Sequence, residues 1–215
     1  MKSWMILFAL LYAVNGQTQV PGVCPSHVVQ SNFNLTAYVG KWYENKRYAN
    51  SFQNSGDCVT AQYTINPDNA TVRVVNEMVI LPDTKNVLSI NGTAKLQSTT
   101  PPIDGRLLVN FFGNWSDYWV LNTDYNNYAV VWSCSNVGNN SMQSAWILTR
   151  ERRPSADILN KVNSLMPVFR LNETLFRQTE QSKKICMKNG APVMKIVSPI
   201  VLSLMVGLFW YSTRR

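Results

Sequence analysis

The side chains that most often perform catalysis are scarce in this sequence. Its only histidine, His27, precedes the first strand that the pattern predicts, so we expect no buried imidazole to act as a general base or to bind haem iron. No stretch has the spacing of metal ligands or of a phosphate-binding loop. These residue types argue against an enzyme, and we expect neither a metal nor another cofactor.

Four cysteines are the remaining reactive side chains: Cys24, Cys58, Cys134 and Cys186. Residues 1–16 have the layout of a secretory signal peptide, with Lys2 followed by an apolar run, and an even number of cysteines in an exported chain predicts disulfides. The residues alone allow three pairings. Paired cysteines leave no thiolate for nucleophilic chemistry.

The C-terminal segment resembles an attachment signal for a glycosylphosphatidylinositol (GPI) lipid. The small residues Asn189-Gly190-Ala191 precede an apolar run of sixteen residues, Ile196 to Tyr211. We expect attachment at Asn189, with Ser198 as a second candidate, and removal of residues 190–215. The alternative is a short tilted membrane span that ends at Arg214-Arg215, because positive charge favours the cytoplasmic side.

Removing both ends leaves residues 17–189, a length typical of one domain with its own core. The formal net charge falls from +8 to +4, since the removed segments hold 4 of the 20 basic residues and none of the 12 acidic ones. That balance does not indicate a nucleic-acid partner. Six glycosylation sequons predict an extracellular surface, and the weakest is Asn114 because Trp115 follows it. The six asparagines are Asn34, Asn69, Asn91, Asn114, Asn139 and Asn172.

Eight runs of alternating or apolar residues, each bounded by Gly, Pro, Asn or Asp, predict eight β-strands. Short turns between them predict antiparallel neighbours, and a closed up-and-down barrel would remove the exposed edges of such a sheet. Helical spacing after Pro154 predicts one α-helix, Pro154 to Met166, packed outside the barrel. The predicted strands are Lys41 to Tyr48, Val59 to Ile65, Thr71 to Ile80, Val87 to Gln97, Arg106 to Phe112, Asp117 to Asn122, Tyr128 to Cys134, and Ser144 to Glu151.

Three short motifs in order make the sequence resemble the lipocalin family. They are "GKWYE" from Gly40 to Glu44, the Thr123-Asp124-Tyr125 turn in "NTDYNNYAVVWSC", and Arg150 in "AWILTRERRP". The cysteine spacing, "ENKRY" and "YAVVWSC" are most similar to the apolipoprotein D and insect Lazarillo branch. The resemblance implies an all-β, eight-stranded lipocalin barrel with one C-terminal helix.

The resemblance also implies roles for several residues. Trp42 would close the floor of the barrel with the Arg150 guanidinium across its ring, and Gly40 would allow the sharp turn into the first strand. The implied disulfides are Cys24 to Cys134 and Cys58 to Cys186. Lipocalins of the prostaglandin-synthase type need a free thiol inside the cup, and none is expected here. Proteins of this branch bind fatty acids, retinoids, steroids or bilins, and Lazarillo proteins are associated with neuronal surfaces and nervous-system development.

Strand parity predicts which side chains face the inside, because alternate residues point to the same side of a strand. Among them, Asn76 is a polar group that could orient a ligand carboxyl or carbonyl. The alternative is that the same side chains fill the barrel with no ligand. The predicted cup residues are Val59, Ala61, Tyr63, Val74, Asn76, Met78, Leu107, Val109, Phe111, Trp146 and Leu148.

Two functions remain open at this point. One is an extracellular, membrane-anchored carrier of a small hydrophobic ligand, attached to the outer leaflet of the plasma membrane. The other is a surface recognition glycoprotein that binds a protein partner through its outer face and leaves the cup unused.

Overall fold

The computed structural model describes residues 18–49, 56–80, 87–186 and 193–196. The predicted signal peptide, the attachment residue Asn189 and most of the apolar run lie outside these residues. Across the described segments, no helix is both long enough and apolar enough to cross a membrane.

Eight antiparallel strands form a closed barrel, as the sequence predicted. A short strand, β1 (Thr18–Pro21), precedes them and pairs with the last of the eight. The barrel closes because its first strand is hydrogen bonded to both its second and its last strand. The eight strands are β2 (Gly40–Tyr48), β3 (Gly56–Ile65), β4 (Thr71–Ile80), β5 (Val87–Leu96), β6 (Arg106–Asn110), β7 (Trp115–Thr123), β8 (Tyr128–Val137) and β9 (Asn140–Thr149).

Alternating strand directions give the barrel two different ends. The turns from β3 to β4 and from β7 to β8 lie at one end, which we call the closed end because a short helix, α1 (Leu35–Tyr38), leads into β2 there. The turns from β6 to β7 and from β8 to β9 lie at the other end, the open end. Side chains that face inward thus lie between the closed end, which we also call the floor, and the open end, whose entrance we call the mouth.

The predicted C-terminal helix is present as α2 (Ala156–Val168). The Ser155 hydroxyl accepts a hydrogen bond from the Ile158 amide at 3.4 Å and so caps its first turn. Val162 and Met166 are buried in an apolar cluster with Trp132 and other outward-facing barrel residues. The helix therefore covers one outer face of the barrel.

Six short elements were missed by the sequence reasoning because runs of three or four residues are too short to show a period. Besides β1 and α1, they are a 3-10 helix (Glu173–Leu175), β10 (Phe176–Gln178), which pairs with β2, α3 (Lys183–Cys186), and β11 (Val193–Ile196). Strand β11 lies parallel to the start of β5. It belongs to the segment whose removal the sequence predicts.

Two disulfides join the arms of the chain to the barrel. Cys24 of the N-terminal arm is bonded to Cys134 in β8, with the two Cα atoms 5.9 Å apart. Cys186 is bonded to Cys58 in β3, with the Cα atoms 5.3 Å apart. This is the pairing that the family resemblance implied. Each bond closes a loop of more than 100 residues, for which loop-closure entropy stabilises the folded state by about 4 to 5 kcal/mol.

Residues 178–182, the C-terminal arm, complete the barrel wall between β2 and β3. These two strands pair directly only from Gly40–Tyr63 to Tyr43–Thr60. Beyond that point the Thr179 amide donates to the Asn45 carbonyl, and the Cys58 amide donates to the Glu180 carbonyl, both at 2.9 Å. The Gln181 side-chain amide donates to the carbonyls of Glu44 and Val59 at 3.0 and 2.9 Å. The arm therefore supplies the hydrogen bonds that the separated strands lack.

Candidate ligand-binding cup

A cavity of about 400 Å³ lies inside the barrel toward the open end. This volume is within the range of small-molecule sites. Ten of the eleven predicted cup residues line it: Val59, Ala61, Tyr63, Val74, Asn76, Met78, Val109, Phe111, Trp146 and Leu148. The barrel is therefore not filled by its own side chains, and the structure places these residues around one space.

Leu107 is the predicted cup residue that does not line the cavity. Its side chain is buried in the core cluster that contains Trp42 and Val131. Parity correctly places Leu107 on the inner face, but parity carries no information on depth. The residue packs into the floor below the cavity.

The floor is centred on Trp42, which is fully buried. Its indole nitrogen donates to the Tyr38 carbonyl at 2.9 Å. The Arg150 guanidinium carbon lies 3.7 Å from the centre of the indole ring, a cation–π contact that contributes about 0.5 to 2 kcal/mol. Burial lowers the pKa of Arg150, but the group remains a cation at any physiological pH.

Arg150 also links two segments of the floor by hydrogen bonds. Its guanidinium donates to the carbonyls of Ala37, Val39, Lys41 and Tyr125 at distances of 2.8 to 3.0 Å. Three of these carbonyls belong to the segment that leads into and begins β2, and the fourth belongs to the β7–β8 turn. The planar guanidinium has enough N–H groups to donate to all four. The geometry supports a structural role for Arg150.

Gly40 and Asp124 shape the two turns beside the floor. Gly40 has φ of +101°, and a Cβ there would lie 3.2 Å from Arg150 Nη1, so a larger residue would be strained and crowded. Asp124 accepts from the amides of Asn127 and Tyr128 at 2.8 and 3.0 Å. Burial opposes ionisation of Asp124, but the hydrogen bond from the Asn127 side-chain amide, together with the backbone hydrogen bonds, outweighs it and lowers the pKa of the carboxyl.

Three tyrosine hydroxyls form a hydrogen-bonded chain at the boundary of floor and cavity. The Tyr118 hydroxyl lies 2.9 Å from the hydroxyls of both Tyr38 and Tyr63. Burial raises the pKa of Tyr63 to about 12 and raises those of Tyr38 and Tyr118 well above the usual value. The phenols therefore stay protonated, and the chain uses two of their three hydrogens. Where Tyr63 or Tyr118, which line the cavity, carries the third, it can donate to a ligand acceptor.

Asn76 has an unsatisfied polar atom at the cavity. Its Oδ1 is buried and has no hydrogen-bond partner among the described residues. An amide oxygen left in this state costs about 1 to 3 kcal/mol, which a ligand donor would recover. Rotated by half a turn, the same amide would instead donate to a ligand carbonyl or carboxyl.

Glu44 is a charged lining residue that the sequence reasoning missed. It is 2% exposed and forms an ion pair with Arg47, which is fully buried. The Thr179 hydroxyl donates to Glu44 Oε1 at 2.5 Å, and Arg47 Nη2 donates to the Gly56 carbonyl at 2.9 Å. Glu44 shares parity with the inward Trp42, so alternation alone would have placed it inside. The C-terminal arm thus contacts a residue of the cavity wall.

Other residues that line the cavity were also missed by the sequence reasoning, and they lie in β5, β7, β8 and β9 and in the turn from β6 to β7. A stacked pair of rings, Tyr118 and Trp146 with centres 6.4 Å apart, lies against the cavity. Alternation within β7 would have identified Ser116 and Tyr118 together. The missed residues are Glu44, Ile90, Phe112, Asn114, Ser116, Asp117, Tyr118, Ser133 and Ser144.

The expectation that His27 is not buried is wrong. It is 8% exposed and meets the Trp132 ring edge-on, with ring centres 4.5 Å apart. Burial, followed by the charge of Arg170, lowers the pKa of His27. Trp132 belongs to the outer cluster under α2, so the imidazole lies outside the cup. Within the described part of the chain, no group of three or more His, Cys, Asp or Glu side chains could hold a metal.

All six sequon asparagines are exposed. Asn34 and Asn172 use their side chains as helix caps, accepting from the amides of Ala37 and Thr174 at 3.0 Å. Asn114 lies at the cavity mouth on the β6–β7 turn. Surface positions agree with the sequence expectation, and attachment of sugar stays a prediction.

A closed antiparallel barrel of eight strands, with a packed floor and an apolar cavity below its open end, is the architecture of a small-ligand carrier. The chain belongs to the lipocalin family, because the family model described as a lipocalin-like domain matches residues 33–167.

Its relatives place it in the predicted branch. The Lazarillo protein of Schistocerca americana is 34% identical over 200 residues, which cover 91% of this chain and 92% of that protein. Apolipoprotein D of Bos taurus is 39% identical over 149 residues, which cover 67% of this chain and 75% of that protein. The predicted resemblance to these two proteins is confirmed.

A solved structure supports the fold. Insecticyanin from the tobacco hornworm Manduca sexta aligns with a TM-score of 0.72 at 22% identity, covering 86% of this chain and 98% of the other. At this identity the likeness concerns the fold alone.

Proposed function

We propose that this lipocalin is an extracellular, membrane-anchored protein that binds a small hydrophobic ligand in its cup. The observation that carries the proposal is the cavity of about 400 Å³ with its mostly apolar and aromatic lining. Two disulfides and six exposed sequons support an extracellular location.

The polar groups of the cup suit a ligand that is mostly apolar with one polar end. The tyrosine chain and the Asn76 amide lie on a mostly apolar wall. A fatty acid, retinoid, steroid or bilin has this chemistry, and these are the ligand classes that the family resemblance implies. Rings of Tyr118 and Trp146 offer flat surfaces for a conjugated or fused-ring ligand.

Trp146→Ala tests the cup directly. We expect ligand affinity to fall about tenfold, since a large aromatic contact is worth roughly 1.5 kcal/mol, while the fold is retained because Trp146 is only partly buried. The measurement is quenching of tryptophan fluorescence by retinoic acid, a long-chain fatty acid and biliverdin. Trp119→Ala, which removes an outward-facing tryptophan next to Trp132, is the matched control and should leave affinity unchanged.

Equal affinity in Trp146→Ala and the parent would remove this residue from the binding site. If none of the three ligands quenched at micromolar concentration while cells still bound the protein, the recognition glycoprotein would replace the carrier as the proposed function.

The proposed anchor is a GPI lipid at Asn189. A run of sixteen residues rises about 24 Å as a helix, which is short of the ~30 Å hydrocarbon core, so a span would have to thin the bilayer. The resemblance to Lazarillo proteins supports a place on neuronal or other cell surfaces, with a role in nervous-system development or lipid handling.

Phosphatidylinositol-specific phospholipase should release the protein from intact cells. Ala191→Trp should abolish that release, because a bulky residue two positions after the attachment site blocks the signal, and Lys188→Ala should leave it unchanged. Protein that stays on phospholipase-treated cells, with a tag after Arg215 detected in the cytoplasm, would establish the membrane span instead.

A further inference from the structure

Two large aromatic side chains are exposed to solvent at the open end. Phe112 and Trp115, which we call the rim, are 40% and 44% exposed. They flank the turn from β6 to β7, and Phe112 also lines the cavity. Exposed aromatic side chains at the mouth of an apolar cavity form a surface that water solvates poorly.

The rim has the side chains that a membrane interface favours. Trp is enriched where headgroups meet hydrocarbon, because its ring has an apolar body and a polar N–H. The Lys95 ammonium lies 4.5 Å from the centre of the Trp115 ring. A long basic side chain beside an aromatic ring can keep its charge among headgroups while its stem covers apolar surface.

The path of the chain brings the anchor close to this end. Strand β3 begins at the open end, and Cys58 is its third residue. Cys186 is bonded to Cys58, and Asn189 follows only three residues later, a reach of at most about 11 Å.

We infer that the rim contacts the outer leaflet of the membrane, so that the cup opens toward the bilayer and exchanges its ligand with it. The inference rests on the proposed anchor and cup and adds an orientation to them. A ligand moving between the bilayer and the cup would then not need to cross water.

The proposed orientation predicts that one sequon, at Asn114, is not glycosylated. Asn114 lies between Phe112 and Trp115 in the sequence and is itself exposed at the cavity mouth. A glycan there would hold both aromatic side chains away from lipid, so Asn114 must be unmodified in the mature protein. Asn139 lies on a different turn of the open end, between β8 and β9.

The test uses the mature anchored protein reconstituted into phosphatidylcholine vesicles. Trp115→Ser should remove most of the tryptophan quenching caused by bromine-labelled phosphatidylcholine and should slow transfer of retinoic acid from vesicle to cup about fivefold. Affinity for retinoic acid in solution should stay unchanged. Val28→Ser is the matched control, since Val28 is 81% exposed on the N-terminal arm, and it should alter neither measurement.

The possible results distinguish failure of the proposed orientation from failure of the proposed ligand binding or of the proposed anchor. Absence of bromolipid quenching in the parent protein, or a glycan at Asn114 in peptide mapping, overturns the orientation even if ligand binding and phospholipase release both succeed. If retinoic acid does not bind the protein in solution, only the proposed ligand-binding cup is contradicted. If phospholipase does not release the protein from cells, only the proposed anchor is contradicted. Quenching that is equal in the parent and Trp115→Ser assigns the lipid contact to another surface.

Discussion

Trp42→Ala is expected to lower the free energy of unfolding by about 3 to 5 kcal/mol and to reduce secretion sharply. The substitution removes a fully buried ring from the floor and leaves a cavity behind. It also deprives the Arg150 guanidinium of the ring beneath it and the Tyr38 carbonyl of its indole donor. Several carbonyls of the floor depend on the position of that guanidinium.

Urea unfolding and the secreted yield from cultured cells would measure the effect. Trp119→Ala again serves as the control, because that ring lies on the outside of the barrel, where it meets the Arg106 guanidinium. A Trp42→Ala protein that is secreted and melts like the parent would show that Trp42 does not close the barrel.

Arg47→Leu has the second largest expected effect, a loss of about 3 to 5 kcal/mol, because it leaves the Glu44 carboxylate buried without its cation. Arg47 and Glu44 are 0% and 2% exposed, so little water can reach the carboxylate to replace the missing partner. Among the described residues, the Thr179 hydroxyl would then be the side-chain donor left to the charge. The C-terminal arm should loosen together with the pair.

Thermal melting of the single and double variants measures how much the Glu44–Arg47 ion pair contributes to stability. Glu44→Leu combined with Arg47→Leu should recover much of the loss, since removing both charges leaves neither one unpaired. Arg106→Leu is the control, because its ion pair with Asp104 has about a third of each side chain exposed, and pairs of this kind contribute about 1 kcal/mol or less. Equal losses in Arg47→Leu and Arg106→Leu would contradict a buried network.

The strands and the inner face of the barrel could be predicted because alternation is a local property of the chain. Residues such as Val59, Ala61 and Tyr63 reveal their common side without any knowledge of the partner strand. Strand ends were less predictable: β9 begins at Asn140 rather than Ser144. Its first residues pair with the end of β8 beyond the strand that the pattern predicted, which stops at Cys134.

The remaining errors concern contacts between distant parts of the chain. The buried partners of Glu44 could not be predicted, because Thr179, whose hydroxyl donates to the carboxylate, is 135 positions away. His27 is buried because the N-terminal arm lies against Trp132. Neither contact leaves a periodic signal in the sequence. Depth in the barrel, which separates Leu107 from Val109, likewise depends on how the strands are staggered.

The C-terminal arm also sets the time at which the barrel can be completed during biosynthesis. A chain exported from its N terminus delivers Cys58 first and Cys186 only 128 positions later, an interval of roughly 6 to 25 s at about 5 to 20 residues per second. Throughout that interval the seam between β2 and β3 has no arm to pair with, and Glu44 and Arg47 stay hydrated. In a chain exported as proposed, the seam between β2 and β3 therefore stays open until Cys186 and the C-terminal arm have been made.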